Sequence, residues 1–159
     1  MSHFYTRVAY TRLTEELNRL RSEELPSVSR AKQEAAAEGD LSENAEYHAT
    51  RERLDMLQRR IYELEEQLRA PRFIEELLIS CERVSIGTKV VCLDLRTRKE
   101  VVYTILGQAD AVPEKNVISY QSPIARGLIG KVLDDEVAIT IPAGQRHLRI
   151  VDILRFDEE

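Results

Sequence analysis

YHATRERLDMLQRRIYELEEQL, residues 47–68, is the stretch that decides the fold of the N-terminal half. Its seam residues recur at alternating spacings of 3 and 4, which places them on one face of a helix. These residues are Tyr47, Thr50, Leu54, Leu57, Ile61, Leu64 and Leu68. The period is typical of a coiled coil, so the stretch predicts a long helix that packs against another helix along this face.

The preceding segment predicts the partner helix. Residues 11–38 are rich in Glu, Arg, Leu and Ala, contain no Gly, and place Leu13, Leu17 and Leu20 on one face. Pro26 should bend or split this helix, because its ring clashes with the carbonyl group four residues earlier.

Gly39-Asp40-Leu41-Ser42 lies between the two helices and is only long enough for a tight reversal. The helices are therefore expected to run antiparallel as a hairpin, each about 28 residues and roughly 40 Å long. Such a rod is typical of a protein that reaches for a partner. The periodicity alone leaves open an intermolecular dimerisation coiled coil.

After Pro71 the pattern changes to short β-rich runs separated by Gly, Pro, Asn and Asp. The runs are Lys89–Asp94, Lys99–Leu106, Glu136–Ile141 and Leu148–Leu154. Pro142-Ala143-Gly144 predicts a hairpin turn, and Ser122-Pro123 predicts the start of a short helix that runs toward Gly130.

The predicted fold class is therefore α+β. An antiparallel coiled-coil hairpin is expected over residues 1–76, with an acidic tip at residues 39–46, followed by a small β-rich domain over residues 77–159.

Composition excludes several classes of protein. The chain has 159 residues, 43% of them hydrophobic, which is enough for a core. The net charge of −5 disfavours a free-standing DNA-binding domain. No signal-peptide pattern or membrane-length apolar run exists, so we expect a cytoplasmic protein with no membrane partner. Cys81 and Cys92 are too few for a disulfide framework or a zinc site and are interpreted as structural thiols.

The predicted tip places three carboxylates, Asp40, Glu43 and Glu46, within seven residues. One interpretation is a capping box, with Asp40 as the N-cap of the second helix and Glu43 at its third position. Ser42 is an alternative cap. Capping and metal binding are compatible, because a cap fixes the geometry that a metal ligand needs.

The same two carboxylates, Asp40 and Glu43, are suitable ligands for Mg²⁺. This ion prefers six oxygen ligands and commonly takes one or two protein carboxylates, with waters and substrate phosphates completing the set. Two carboxylates alone bind it weakly. On a rod, they can instead be delivered to a phosphate-handling site of another protein. We therefore predict a donated ligand set and no cofactor that the chain binds by itself.

Two other residues of the second helix need an interpretation. His48 is more simply a surface side chain than a base. Arg51, one turn beyond Tyr47, belongs to a solvated helix face or contacts an RNA phosphate. The sequence contains no Walker loop and no nucleophile elbow.

Two motifs resemble one known family. GDLSENAEYHA, residues 39–49, resembles the tip of the GreA/GreB family of bacterial transcript-cleavage factors. SPIARGLIGK, residues 122–131, resembles the signature of that family's C-terminal domain. The resemblance runs over essentially the whole chain and includes Leu13-Thr14-Glu15-Glu16-Leu17 and Pro142-Ala143-Gly144.

The resemblance implies a C-terminal domain of FKBP-like fold that docks on RNA polymerase, while the hairpin enters the secondary channel. Asp40 and Glu43 would hold Mg²⁺ jointly with the polymerase, which then cuts the 3′ end of backtracked nascent RNA and resumes elongation. The chain would thus be an activator and not an enzyme, and an intramolecular hairpin predicts a monomer. An association with DNA is implied only at the level of the family.

Further site residues are implied by the same resemblance. Asn44, Glu46 and Tyr47 would support the tip, and Arg51 would contact the RNA end. The surface that docks on the polymerase would be centred on Ser122, Pro123, Ile124 and Arg126. The alternative is that Ile124, Leu128 and Ile129 are simply core.

The chain departs from the family pattern in two places. Family members often carry a basic residue where this chain has Ala35-Ala36-Ala37, which shifts the expected RNA contact toward Arg51. Arg51-Glu52-Arg53-Leu54 and Arg59-Arg60 resemble GreB, whereas residues 122–131 and the acidic balance resemble GreA. The length of the cleaved RNA stays open. A secondary-channel inhibitor of the same architecture is the alternative function, and the intact Asp40/Glu43 pair argues against it.

Overall fold

The computed structural model of the chain describes residues 3–39 and 44–158. The chain divides into two compact units, one formed by Tyr10–Ala70 and the other by Met1–Ala9 with Pro71–Glu159. The first nine residues, which include the start of the first helix, therefore belong to the same unit as the C-terminal sheet. Among the described residues, no helix is long and apolar enough to cross a bilayer.

The hairpin consists of α1 (Arg7–Arg19), a π-helical segment (Leu20–Glu24), α2 (Leu25–Ala36) and α3 (Ala45–Gln67). Two hydrogen bonds mark its ends. The Tyr10 hydroxyl donates to the Leu68 carbonyl over 3.1 Å, and the Asn44 amide donates to the Ala35 carbonyl over 2.6 Å. Because residues early in one arm pair with residues late in the other, the arms are antiparallel, as predicted.

The first arm changes helix type immediately before Pro26. The Leu25 N–H bonds to the Leu20 carbonyl, five residues back, and Pro26 then lies in the first turn of α2. A proline there donates no hydrogen bond and would crowd the carbonyl four residues earlier. The wider π turn keeps the arm helical across this position. The predicted bend or split at Pro26 takes the form of a change of helix type within a continuous helical arm.

The predicted seam forms the interior of the hairpin. Leu13, Leu17 and Leu20 of the first arm are buried, and Val28 and Ala35 continue the row. The opposing row on α3 is buried or half-buried at every predicted position: Tyr47, Thr50, Leu54, Leu57, Ile61, Leu64 and Leu68. Each buried leucine contributes roughly 2 kcal/mol through loss of water contact. A single chain therefore covers its own seam.

The C-terminal unit contains a five-stranded sheet with the order β5-β4-β3-β7-β6. Its strands are β3 (Thr88–Asp94), β4 (Glu100–Leu106), β5 (Val117–Ser119), β6 (Glu136–Ile141) and β7 (Gly144–Arg155). All pairings are antiparallel except β4 with β5. Helix α4 (Pro123–Leu128) lies against one face. The predicted α+β fold, a helical hairpin followed by an FKBP-like β domain, is confirmed.

The core of this unit lies between the sheet and α4. Alternate side chains of the strands point into it, as the period of a strand requires. A β-bulge at Val91/Cys92 shifts the register with β7, so the inward side of β7 passes from Ile150 to Ile153 and leaves Val151 exposed. The buried members are Val84, Val90, Cys92, Tyr103, Ile105, Ala125, Leu128, Val137, Ile139, Leu148, Ile150 and Ile153.

A second, two-stranded sheet pairs β1 (His3–Tyr5) in parallel with β2 (Pro71–Phe73). Helix α1 begins directly after β1, four residues before the predicted start at Thr11. The Thr6 hydroxyl accepts from the Ala9 N–H over 3.2 Å and therefore caps the helix. The Asp110 carboxylate accepts from the Thr6 N–H and hydroxyl, and the Glu75 carboxylate accepts from the Arg7 N–H over 2.8 Å.

Candidate functional site

Asn44 organises the described part of the hairpin tip. Its side-chain oxygen accepts from the Tyr47 N–H over 3.0 Å, which makes it the N-cap of α3. Its side-chain nitrogen donates to the Ala35 carbonyl over 2.6 Å, one residue before α2 ends. One half-buried side chain thus joins the end of one helix to the beginning of the next.

The two residues of greatest chemical interest, Asp40 and Glu43, lie outside the described residues, as do Leu41 and Ser42. The described residues nevertheless correct the predicted N-cap of α3. Because α3 begins at Ala45 with Asn44 as its N-cap, the expectation that Asp40 or Ser42 caps this helix is wrong. Asparagine is among the strongest capping residues, so the signal was present in the sequence.

The side chains that follow the cap are arranged on the first two turns of α3. Glu46 and Arg51 are exposed, and Tyr47 is half-buried in the seam. His48 is exposed and its ring meets that of Tyr47 edge-on, with centroids 5.6 Å apart. The backbone carbonyls of Glu46 and Tyr47 accept from the buried Thr50 hydroxyl over 3.0 Å, which satisfies that polar group within the seam.

Within residues 3–39 and 44–158, no group of three or more His, Cys, Asp or Glu side chains is placed to hold a metal ion. Cys92 is buried, and burial raises the pKa of its thiol to about 11, so it stays protonated at neutral pH. Cys81 is half-buried at the edge of the same core.

We expect Asn44→Ala to lower the free energy of unfolding of the hairpin by about 2 kcal/mol, because it removes a helix cap and leaves the Ala35 carbonyl without this partner. Urea unfolding followed by circular dichroism measures the change. Asn18→Ala is the matched control, since Asn18 is exposed on α1 and should change stability by less than about 0.5 kcal/mol. Equal effects of the two substitutions would contradict the capping role of Asn44.

The second predicted site lies at the start of α4. The Ser122 hydroxyl accepts from the Ala125 N–H over 3.3 Å and caps the helix, as predicted, and Pro123 occupies the first helical position. Pro123 and Arg126 are exposed, whereas Ile124 is partly buried against the core. The four residues named for docking therefore surround one exposed helix start.

The alternative that Ile124, Leu128 and Ile129 are only core residues holds for two of the three. Leu128 is fully buried and Ile124 packs on the core, but Ile129 is 38% exposed. Ile129 follows the end of α4, where its backbone leaves the helical conformation.

Comparisons with known proteins agree over most of the chain. A family model described as "Transcription elongation factor, N-terminal" matches residues 3–72, and one described as "Transcription elongation factor, GreA/GreB, C-term" matches residues 79–155. A transcription elongation factor GreA of Sulfurovum sp. is 41% identical over 91% of this chain and 90% of its own length. One of Desulfotalea psychrophila is 43% identical over 89% of this chain and 88% of its own length.

Among solved structures, GreA factor homolog 1 of Thermus thermophilus is 26% identical and the match covers 96% of this chain and 99% of that one, with a TM-score of 0.45. A structural similarity with a TM-score this low has no bearing on function.

Proposed function

The chain belongs to the GreA/GreB family of transcription elongation factors, and from that premise we propose that it binds RNA polymerase and stimulates cleavage of backtracked nascent RNA. The polymerase's own Mg²⁺-dependent active site hydrolyses the 3′ end of the RNA, and the arrested complex resumes elongation. The chain acts as an activator of that hydrolysis and has no catalytic centre of its own.

The segment between α2 and α3 supports this proposal. Asp40 and Glu43 lie within the eight residues that separate Ala36 from Ala45, the end of one helix and the start of the next. Asn44 ties those helix ends together, so the acidic segment is attached to a fixed base. This attachment is the observation that carries the proposal, because a donated ligand must be presented from a rigid support.

The donor chemistry of the pair fits Mg²⁺. Carboxylate oxygens are the protein ligands this ion prefers, and Asp40 and Glu43 are the residues that would hold it together with the polymerase. When bound, the ion activates a water and stabilises charge on a phosphate. Two carboxylates are too few to retain Mg²⁺ by themselves, which is why the site is shared.

Arg51 on α3 is suited to contact the RNA end. Arg51 is exposed and lies seven residues, or about 10 Å along the helix axis, beyond Asn44. An arginine there can contact an RNA phosphate while the acidic pair acts on the adjacent bond. Ala35 and Ala36, the last residues of α2, provide no cation next to the tip, and Arg51 on α3 is proposed for this contact.

The start of α4 is proposed as the docking surface for the polymerase, centred on Ser122, Pro123, Ile124 and Arg126. We expect the double substitution Ser122→Ala with Pro123→Ala to weaken polymerase binding about tenfold, measured by fluorescence anisotropy with labelled protein. The double substitution Thr140→Ala with Pro142→Ala changes exposed residues elsewhere in the same unit and should leave affinity unchanged. Unchanged affinity in the first variant would place the docking surface elsewhere.

The test of the proposed function is RNA cleavage in stalled, backtracked elongation complexes. Addition of the chain should shorten the RNA from its 3′ end and restore nucleotide addition. The length of the released fragment distinguishes GreA-like from GreB-like cleavage. If the chain instead slows both cleavage and nucleotide addition, it is a secondary-channel inhibitor, and if it binds no polymerase the proposal is wrong.

A further inference from the structure

Two turns meet at one end of the five-stranded sheet and enclose a cleft of about 300 Å³. One turn joins β3 to β4 and contributes Arg96 and Thr97, and the other belongs to the β6–β7 hairpin and contributes Gln145 and Arg146. The Leu95 N–H donates to the His147 carbonyl over 2.9 Å, which holds the two turns together. We call this the basic cleft.

The basic cleft concentrates positive charge on a chain whose net charge is −5. Arg96 and Arg146 line the cleft from its two turns, and Arg98 and Lys99 follow Arg96 in the first of these turns. All four side chains are exposed, and none forms an ion pair with another described residue. Two cations that line a concave site, with two more beside it, attract an anion.

One carboxylate, that of Asp94, lines the basic cleft, and it already accepts hydrogen bonds from the backbone of the turn. Asp94 accepts from the Arg96 N–H over 2.9 Å and from the Thr97 N–H over 3.2 Å, and these bonds shape the turn. They also lower the pKa of Asp94, with a smaller contribution from the positive charge of Arg146. Asp94 therefore fixes the backbone of the turn that carries Arg96 and Thr97.

Arg146 lies near Tyr103, whose side chain is buried in the core of the sheet. Burial raises the pKa of Tyr103, and the positive charge of Arg146 opposes that shift. The guanidinium group is planar and has five N–H donors, so it can offer two of them to one phosphate group.

The turn that carries Arg96 and Thr97 places Arg98 in the left-handed region, with a φ of 62°. Gly or Asn occupies this region far more readily than a long side chain, so arginine there costs stability. The conformation belongs to the turn, in which the Arg98 N–H bonds to the Asp94 carbonyl over 2.8 Å.

We propose that the basic cleft binds phosphate oxyanions, from a small polyphosphate or from the backbone of a nucleic acid. Arginine forks match the geometry of phosphate, and Thr97 and Gln145 provide neutral hydrogen-bond donors beside them. The one ring that lines the cleft is the exposed imidazole of His147, and the other lining side chains suit a phosphate better than a base. This inference does not depend on the proposed function.

The test uses the full chain, labelled with ¹⁵N and titrated in separate arms with inorganic tripolyphosphate and with a 20-base-pair DNA duplex. In at least one arm, we expect amide shifts confined to residues 94–99 and 144–147, weakening as salt is raised. Arg96→Gln and Arg146→Gln should each weaken binding about tenfold. Arg59→Gln is the matched control, because Arg59 is equally exposed but lies on α3.

The arms separate the two sources of phosphate. Binding of tripolyphosphate indicates a small-molecule site, and binding of the duplex alone indicates a nucleic-acid contact. A third arm with a Glu-rich decapeptide tests a protein partner. The proposal is overturned if neither phosphate ligand shifts the cleft residues, or if only the peptide does.

The variant Arg98→Gly separates a loss of phosphate binding from a loss of folding. Glycine relaxes the left-handed backbone, so this variant should melt at the same or a higher temperature than the wild type. It should nevertheless bind the phosphate ligand several-fold more weakly. If Arg98→Gly leaves phosphate binding unchanged, Arg98 has no part in the site.

Discussion

Asp40→Asn is expected to slow RNA cleavage in backtracked complexes by about 100-fold, and Glu43→Gln by a similar factor. Each substitution keeps the size of the side chain and a carbonyl oxygen but removes the negative charge that Mg²⁺ requires. The measurement is the rate of 3′-end shortening at saturating concentrations of the chain. Glu38→Gln is the matched control, because it removes the same charge from a flanking residue and should leave the rate unchanged.

The identity of the N-cap gives this experiment a second readout. Because Asn44 caps α3, neither Asp40→Asn nor Glu43→Gln removes that capping hydrogen bond. Both variants should therefore unfold at the wild-type temperature and still bind polymerase, while cleavage is lost. If stability falls together with cleavage, Asp40 and Glu43 have a structural role instead. If both variants cleave RNA at the wild-type rate, the two residues take no part in the reaction.

The hairpin was predictable because a single physical pattern specifies it. The rows at Leu13, Leu17 and Leu20 and from Tyr47 to Leu68 can be covered only by another helix, and the connection between them permits only an antiparallel neighbour. The short helix at Ser122 and Pro123 was predictable for the same reason, since both residues have a local preference for helix starts.

Features that depend on distant partners could not be predicted. Strand β1 has only three residues, and its pairing with β2 joins residues 68 positions apart. The carboxylates that hold the start of α1 come from Asp110 and Glu75, far along the chain from Thr6. At the tip, three nearby residues, Asp40, Ser42 and Asn44, all had the chemistry of a cap, and the position at which α3 begins decided between them.

Gly107→Ala is expected to destabilise the C-terminal unit by about 3 kcal/mol and to lower its melting temperature by about 10 °C. A Cβ atom at Gly107 would lie 2.1 Å from the Phe4 carbonyl oxygen and 3.0 Å from its carbon. Both are backbone atoms, so relief requires movement of β1. That movement would also disturb the Thr6 contacts with Asp110, whose carboxylate lies 3.2 Å from the same point.

Scanning calorimetry measures the loss in Gly107→Ala, and Gly130→Ala in the same measurement separates the effect of crowding from that of backbone conformation. Gly130 has a φ of 90° and no atom within 4 Å of its Cβ position, so alanine there meets only conformational strain of about 1 kcal/mol. Gly107 has a φ of −76°, which alanine adopts freely, so its cost comes from the approach of Phe4 alone. A smaller loss at Gly107 than at Gly130 would mean that β1 is not held against this turn in solution. A larger loss would show that the segment before α1 is part of the folded C-terminal unit, because only a fixed strand resists the added methyl group.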